Sequence, residues 1–129
     1  MRLIEIHLEV SNLETSFNFY RQLFPYKQIV QFKNKDAYVL ILEDGSAFGI
    51  WLKGKVGLFG GKGGEHVHYA FNITTDEYPL YLAKLKKMQT EYFEHEWDNG
   101  AKSVYFFDAD GHQGEFITCD WLELHKDRT

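Results

Sequence analysis

The pattern of apolar and polar residues runs through this chain twice, and that duplication limits the fold more than any other feature. In LIEIHLEV, residues 3–10, Ile4, Ile6, Leu8 and Val10 share one face while Leu3, Glu5, His7 and Glu9 share the other. This is the two-residue period of a strand. Ser11 and Glu14 follow at the spacing of a capping box. Leu13, Phe17, Tyr20 and Phe24 then recur at helical spacing until Pro25 ends the run. KQIVQFK, AYVLIL and SAFGIWLK read as three short strands, the last two joined by the turn EDGS. The order then restarts. HVHYAFNI is a strand and TTDEYPLYLAKLKKM a helix, capped either by Thr74 with Glu77 or by Asp76, which would put Pro79 in the first turn. EYFEHEW, SVYFFD and QGEFIT are three further strands, with turns at DNGA and DADG.

The expected architecture is therefore α+β, two tandem βαβββ repeats. Each repeat has roughly fifty residues, too few for a secure core alone, so the halves, or halves of two chains, must pack together. We expect one domain over 1–129: repeat one at 1–53, a connection at 54–64, repeat two at 65–118 and a tail at 119–129. The connection, GKVGLFGGKGG, holds six of the eleven glycines. It lacks the glycine spacing and the Gly-Lys-Ser/Thr of a phosphate-binding loop. Its composition is that of a flexible joint or a lid, with Lys53 before it and Lys55 and Lys62 within it.

Composition removes several classes of function. A net charge of −5 and a pI near 5.6 argue against a nucleic-acid partner. No apolar run is long enough to span a bilayer, and no signal peptide is evident, so a cytoplasmic protein is expected. Cys119 is the single cysteine, which excludes an internal disulfide and a cysteine zinc knuckle. Aromatic residues make up 17% of the chain, enough to line a pocket as well as a core.

The polar residues that fall on this frame suggest a metal. His7 lies in the first strand of repeat one, His66 and His68 in the first strand of repeat two, each on the face away from the apolar stripe. Glu115, in the last strand, faces opposite Phe116. Two imidazoles and one carboxylate can hold a divalent ion on one side and leave the other open to substrate. Taken singly, each histidine is better read as a hydrogen-bonded or solvated side chain. His-x-His can itself chelate, so His66 and His68 both stand as candidates. Trp51 shares a face with Gly49 and could stack on a flat ligand; Tyr105 shares a face with Ser103 and Phe107, and its hydroxyl could assist proton transfer.

IHLEVSNLETSFNFYRQLF, HVHYAF and SVYFFDADGHQGEF resemble the vicinal oxygen chelate superfamily. That superfamily includes glyoxalase I, extradiol dioxygenases, fosfomycin-resistance enzymes and bleomycin-resistance proteins. The likeness covers nearly the whole chain and the doubled βαβββ order. It implies a curved mixed sheet around a metal-binding cup, with His7, His68 and Glu115 as ligands of a divalent ion (zinc, manganese, iron, nickel or cobalt). It further implies a homodimer acting on a small oxygen-chelating substrate as a lyase, dioxygenase or transferase. Glu115 and Tyr105 are then the catalytic candidates, and Trp51, His66 and Tyr105 the substrate-binding ones. The alternative is a metal-free protein that sequesters a drug or metabolite, as bleomycin-resistance members do. Three departures matter. Ala109 stands where the usual turn has proline. Gly49 stands where glyoxalase I-type members carry a fourth ligand. Arginine occurs at positions 2, 21 and 128 alone, so a strongly anionic substrate lacks a forked partner.

Overall fold

The alternating run at the start forms β1 (Glu5–Val10), and Asn12 turns the chain into α1 (Leu13–Leu23). These come from a computed structural model, which describes residues 3, 5–32, 36–52, 68–120 and 123. The cap is Asn12 and not Ser11. Ser16 N–H bonds to the Asn12 carbonyl as the first helical bond, and the Asn12 side chain accepts from Thr15 N–H at 3.0 Å. Only the residue that opens the helix can reach that amide. Phe24 leaves the helix in an extended conformation and Pro25 prevents its continuation.

Three strands complete the first unit: β2 (Tyr26–Phe32), β3 (Ala37–Leu42) and β4 (Ala47–Leu52). The sheet runs β1-β4-β3-β2, with β1 parallel to β4 and the other pairs antiparallel. Its core gathers the apolar side of α1 against one face of the sheet. Tyr20, Phe24 and Phe48 meet with ring centroids 4.7–5.4 Å apart, and Leu23, Leu40 and Ile50 are almost wholly buried. Full burial of such a side chain stabilises by roughly 1.5–3 kcal/mol. The opposite face carries Glu5, His7 and Glu9 from β1 beside Ala47, Gly49 and Trp51 from β4.

The second unit repeats the plan with β5 (His68–Asn72), α2 (Tyr78–Lys87), β6 (Tyr92–Glu96), β7 (Lys102–Phe107) and β8 (Gln113–Ile117). Its order is β5-β8-β7-β6, again with the first and last strands parallel. Of the two expected caps, the Thr74–Glu77 box forms. Glu77 N–H donates to Thr74 Oγ1 at 3.1 Å and Thr74 N–H to Glu77 Oε1 at 3.0 Å, with Pro79 in the first turn. Phe116 lies between Tyr81 and Phe106, with centroids 4.2 and 5.1 Å away. Gly114 is required beneath them, since a Cβ there would lie 2.4 Å from the Phe106 ring.

Contacts divide the chain at Lys62 into these two units. Each is a four-stranded mixed sheet with one helix, the expected βαβββ module. The glycine-rich connection at 54–64 with Lys55 and Lys62, the preceding Lys53, His66 and the tail beyond 120 apart from Glu123 fall outside the described residues.

Candidate metal centre

The β4 and β8 hairpin turns fix how the units correspond. Gly45 and Gly111 both take left-handed backbone, φ 88° and 82°, where a side chain would be strained. Each donates its N–H to the residue three earlier, Leu42 or Asp108. Ala47 and Gln113 each sit two residues beyond, and their parallel neighbours are Glu5 and His68. Gly49 and Glu115 correspond in turn, and their neighbours are His7 and Ala70. The expected alignment of Gly49 with Glu115 holds. In this register His68 matches Glu5, and His7 lies one pleat further along the same face.

In unit 2, three expected site residues come together. His68 Nε2 lies 3.6 Å from Glu115 Oε1, and Tyr105 is the cross-strand neighbour of Glu115. The Glu115 carboxylate is buried, 5% exposed. Its Oε2 accepts from the Ser103 hydroxyl at 2.6 Å, and that hydroxyl accepts from Trp97 Nε1–H at 2.8 Å. Ser103 and Trp97 were not singled out from sequence, although Ser103 shares the face of Tyr105. Tyr105 stacks on Phe93 with centroids 4.7 Å apart and meets His68 edge-on. Burial, the Glu115 charge and a hydrogen bond to Glu115 push the Tyr105 hydroxyl up to about 12. At neutral pH the hydroxyl therefore holds its proton and is able to donate a hydrogen bond.

This donor set suits a divalent ion. Among the described residues His68 has no hydrogen-bond partner, and no lysine or arginine pairs with Glu115. A buried carboxylate without a cation is costly. A metal would offset that cost, taking one nitrogen and one oxygen ligand here.

In unit 1, the His7 ring lies over Gly49, where a Cβ would stand 2.1 Å from Nδ1. Trp51 Nε1–H donates to His7 Nδ1 at 2.8 Å, and His7 Nε2 lies 3.1 Å from Glu5 Oε2. Trp51 is also stacked on Phe32, so it lies on the expected face but engages protein neighbours.

A second cluster is formed by Asp108, Asp110 and His112, whose ligand atoms lie within 4.8 Å of one another. The turn itself explains much of it. Asp108 Oδ1 accepts from the N–H groups of Asp110 and His112, and Oδ2 lies 2.7 Å from His112 Nδ1. The D-x-D-x-H spacing of DADGH was the signal that would have found it.

No protein-family model matches the chain. The chain is 32% identical over 125 residues to the metallothiol transferase FosB of Lysinibacillus sphaericus, covering 91% of this chain and 84% of that protein. The chain belongs to the vicinal oxygen chelate superfamily. Its fold agrees with solved members. The fosfomycin resistance protein FosX from Listeria monocytogenes superposes with a TM-score of 0.76 at 22% identity, over 95% of this chain and 97% of that one. A variant of that protein, complexed with Mn(II) and 1S,2S-dihydroxypropylphosphonic acid, gives 0.78 at 19% identity, over 100% and 98%. Lactoylglutathione lyase from Agrobacterium tumefaciens gives 0.72 at 16%, over 91% and 92%. This vicinal oxygen chelate chain thus shares the metal-dependent glyoxalase and fosfomycin-resistance type of fold. No helix among its described residues is long and apolar enough to cross a membrane.

Proposed function

We propose that this protein is a divalent-metal-dependent enzyme, of transferase type, acting on a small substrate that presents two oxygens to the metal. The observation that carries the reading is the approach of His68 Nε2 to Glu115 Oε1 at 3.6 Å on the site face of unit 2. The likeness to a metallothiol transferase supports the reaction type and weighs against the metal-free binding protein. His68 and Glu115 are the proposed ligands that this unit supplies, and His7 is the third that the family resemblance implies. When bound, the ion would polarise a substrate oxygen and stabilise negative charge developing on it. Tyr105 donates a hydrogen bond to the substrate, and Ser103 keeps one Glu115 oxygen turned away from the metal. Trp51 and His66 belong to the proposed substrate-binding set. The protein acts as a homodimer, since β1 and β2 in one sheet, and β5 and β6 in the other, are edge strands open to pairing.

Metal titration by calorimetry is the direct test. Wild-type protein should bind about one Mn(II) or Zn(II) per chain, a stoichiometry set by one such ligand group. His68→Ala and Glu115→Gln should each weaken binding at least tenfold. Equal affinities in all three proteins would remove the reading. Light scattering at micromolar concentration should report a dimer.

A further inference from the structure

We infer that Trp97 is a positioning residue of the unit 2 site: through Ser103 it holds the Glu115 carboxylate so that Oε1 alone is presented beside His68. The inference rests on the metal reading of His68 and Glu115, and every residue in it belongs to unit 2.

The first observation is the direction of the hydrogen bonds, which chemistry fixes. An indole N–H only donates, so Ser103 Oγ is the acceptor of the 2.8 Å bond from Trp97 Nε1. A serine hydroxyl has a single proton, and an ionised carboxylate, here at 2.6 Å, only accepts. The proton therefore points at Glu115 Oε2. Donation into Oγ polarises its O–H and strengthens the bond that the O–H makes. Ser103 is 0% exposed and Glu115 5%, so water does not stand in for either partner. Oε2 is thereby engaged, and Oε1 is the oxygen that faces His68 Nε2 at 3.6 Å. The Tyr105 hydroxyl bonds to the same carboxylate but brings no positive charge.

The second observation is how Trp97 is held in place. Register puts His95 opposite Ser103. Trp97 comes two residues later, past the end of β6, and reaches back to the Ser103 hydroxyl. The β6–β7 turn anchors it at both backbone groups. Trp97 N–H donates to the Ala101 carbonyl at 2.8 Å, and Gly100 N–H donates to the Trp97 carbonyl at 2.9 Å. Asn99 Oδ1 accepts from Ala101 N–H at 2.9 Å, and Gly100 takes the left-handed φ of 85° that closes the turn. The His95 ring meets the indole edge-on with centroids 4.4 Å apart. The indole is thus gripped on its backbone and on its ring, and its N–H keeps one direction. A phenylalanine ring fills much of the same space; only the indole adds the donor.

Nitrogen-15 NMR of the indole groups tests the relay in metal-free protein. The Trp97 N–H signal, identified by its absence in Trp97→Phe, should exchange slowly with solvent and shift in Ser103→Ala. Fast exchange would overturn the inference and leave the metal reading intact. Mn(II) calorimetry is the second readout. Trp97→Phe keeps a ring and removes the donor, and it should weaken binding about tenfold, as loss of a ligand-orienting partner does. In the Ser103→Ala background the same substitution should cost nothing more, because the path to Glu115 is already cut. Unchanged affinity in Trp97→Phe, or a loss repeated in full in that background, would assign Trp97 to folding alone and overturn the inference. Infrared difference spectra of Zn(II)-loaded minus metal-free protein give a third readout. The Glu115 carboxylate bands, identified by comparison with Glu115→Gln, should be widely split, as for binding through one oxygen. A narrow splitting, the sign of binding through both oxygens, would overturn the inference. Wild-type protein that binds no ion would remove the metal reading and this inference with it.

Discussion

The Ser103 hydroxyl donates to Glu115 Oε2 across 2.6 Å, and Trp97 donates to that same hydroxyl. Ser103 is 0% exposed, so no solvent can replace it. Ser103→Ala leaves one oxygen of a buried carboxylate without its donor. We expect a stability loss of about 1–3 kcal/mol in urea unfolding. We also expect Mn(II) affinity to fall about tenfold, because the carboxylate is no longer held in one orientation. Lower stability with unchanged affinity would limit Ser103 to folding.

Gly49→Ala should destabilise unit 1. A Cβ would stand 2.1 Å from His7 Nδ1 and 3.1 Å from Trp51 Nε1, so the His7–Trp51 bond must break. Overpacking of this kind costs about 1–3 kcal/mol. In the Gly49→Ala/His7→Ala double variant most of the penalty should disappear, and a double-mutant cycle by thermal melting measures the coupling. Additive effects would mean that the two residues do not compete for that space.

Alkaline pH should weaken the fold through its tyrosines. Burial and the hydrogen bond to Glu94 raise the Tyr78 hydroxyl well above its ordinary value of 10, and Tyr105 is raised to about 12. Above pH 10 the unfolded chain loses these protons while the native chain keeps them, so the unfolded state gains. The stability they give is present in full below pH 10 and is lost as pH rises through the folded values. Melts between pH 8 and 11 should show a falling midpoint, and Tyr78→Phe should flatten the fall. An identical slope in that variant would show that other groups govern alkaline unfolding.

Ligand preference should follow the missing arginines. The described part of unit 2 contains none, and in unit 1 Arg21 lies over the Phe17 ring. Calorimetry on metal-loaded protein should show a catechol binding more tightly than a phosphonate, since lysine gives no forked contact to a phosphonate. Tighter phosphonate binding that is lost in Lys102→Ala or Lys62→Ala would point to a fosfomycin-like substrate.

Strand and helix order was legible because period-two and helical runs alternate with little ambiguity, and capping and turn residues mark their ends. The Gly49–Glu115 correspondence was legible too, since both lie four residues past a turn glycine. The place of His7 was not. It depends on parallel pairing between strands distant in sequence, and a one-pleat offset keeps the same face and so leaves the hydrophobic pattern unchanged. Asn12 was passed over because Ser11 has equal capping chemistry and sits beside it. The hydrogen-bond relay through Ser103 and Trp97 was hidden for a similar reason: a serine and a tryptophan on adjacent strands give no spacing signal.

The ring of His7 above Gly49 also sets the order in which this chain can change. Two copies of one unit offer two corresponding places on their last strands, and either could carry a carboxylate. Here only β8 does, and β4 has surrendered the volume such a side chain would need. An acidic residue arriving at position 49 while the imidazole is present meets a filled space, so it is disfavoured as a first step. Loss of His7 must come before it. The order of change at this pair is therefore directional: loss of the imidazole is permissive, and a side chain at position 49 waits on it.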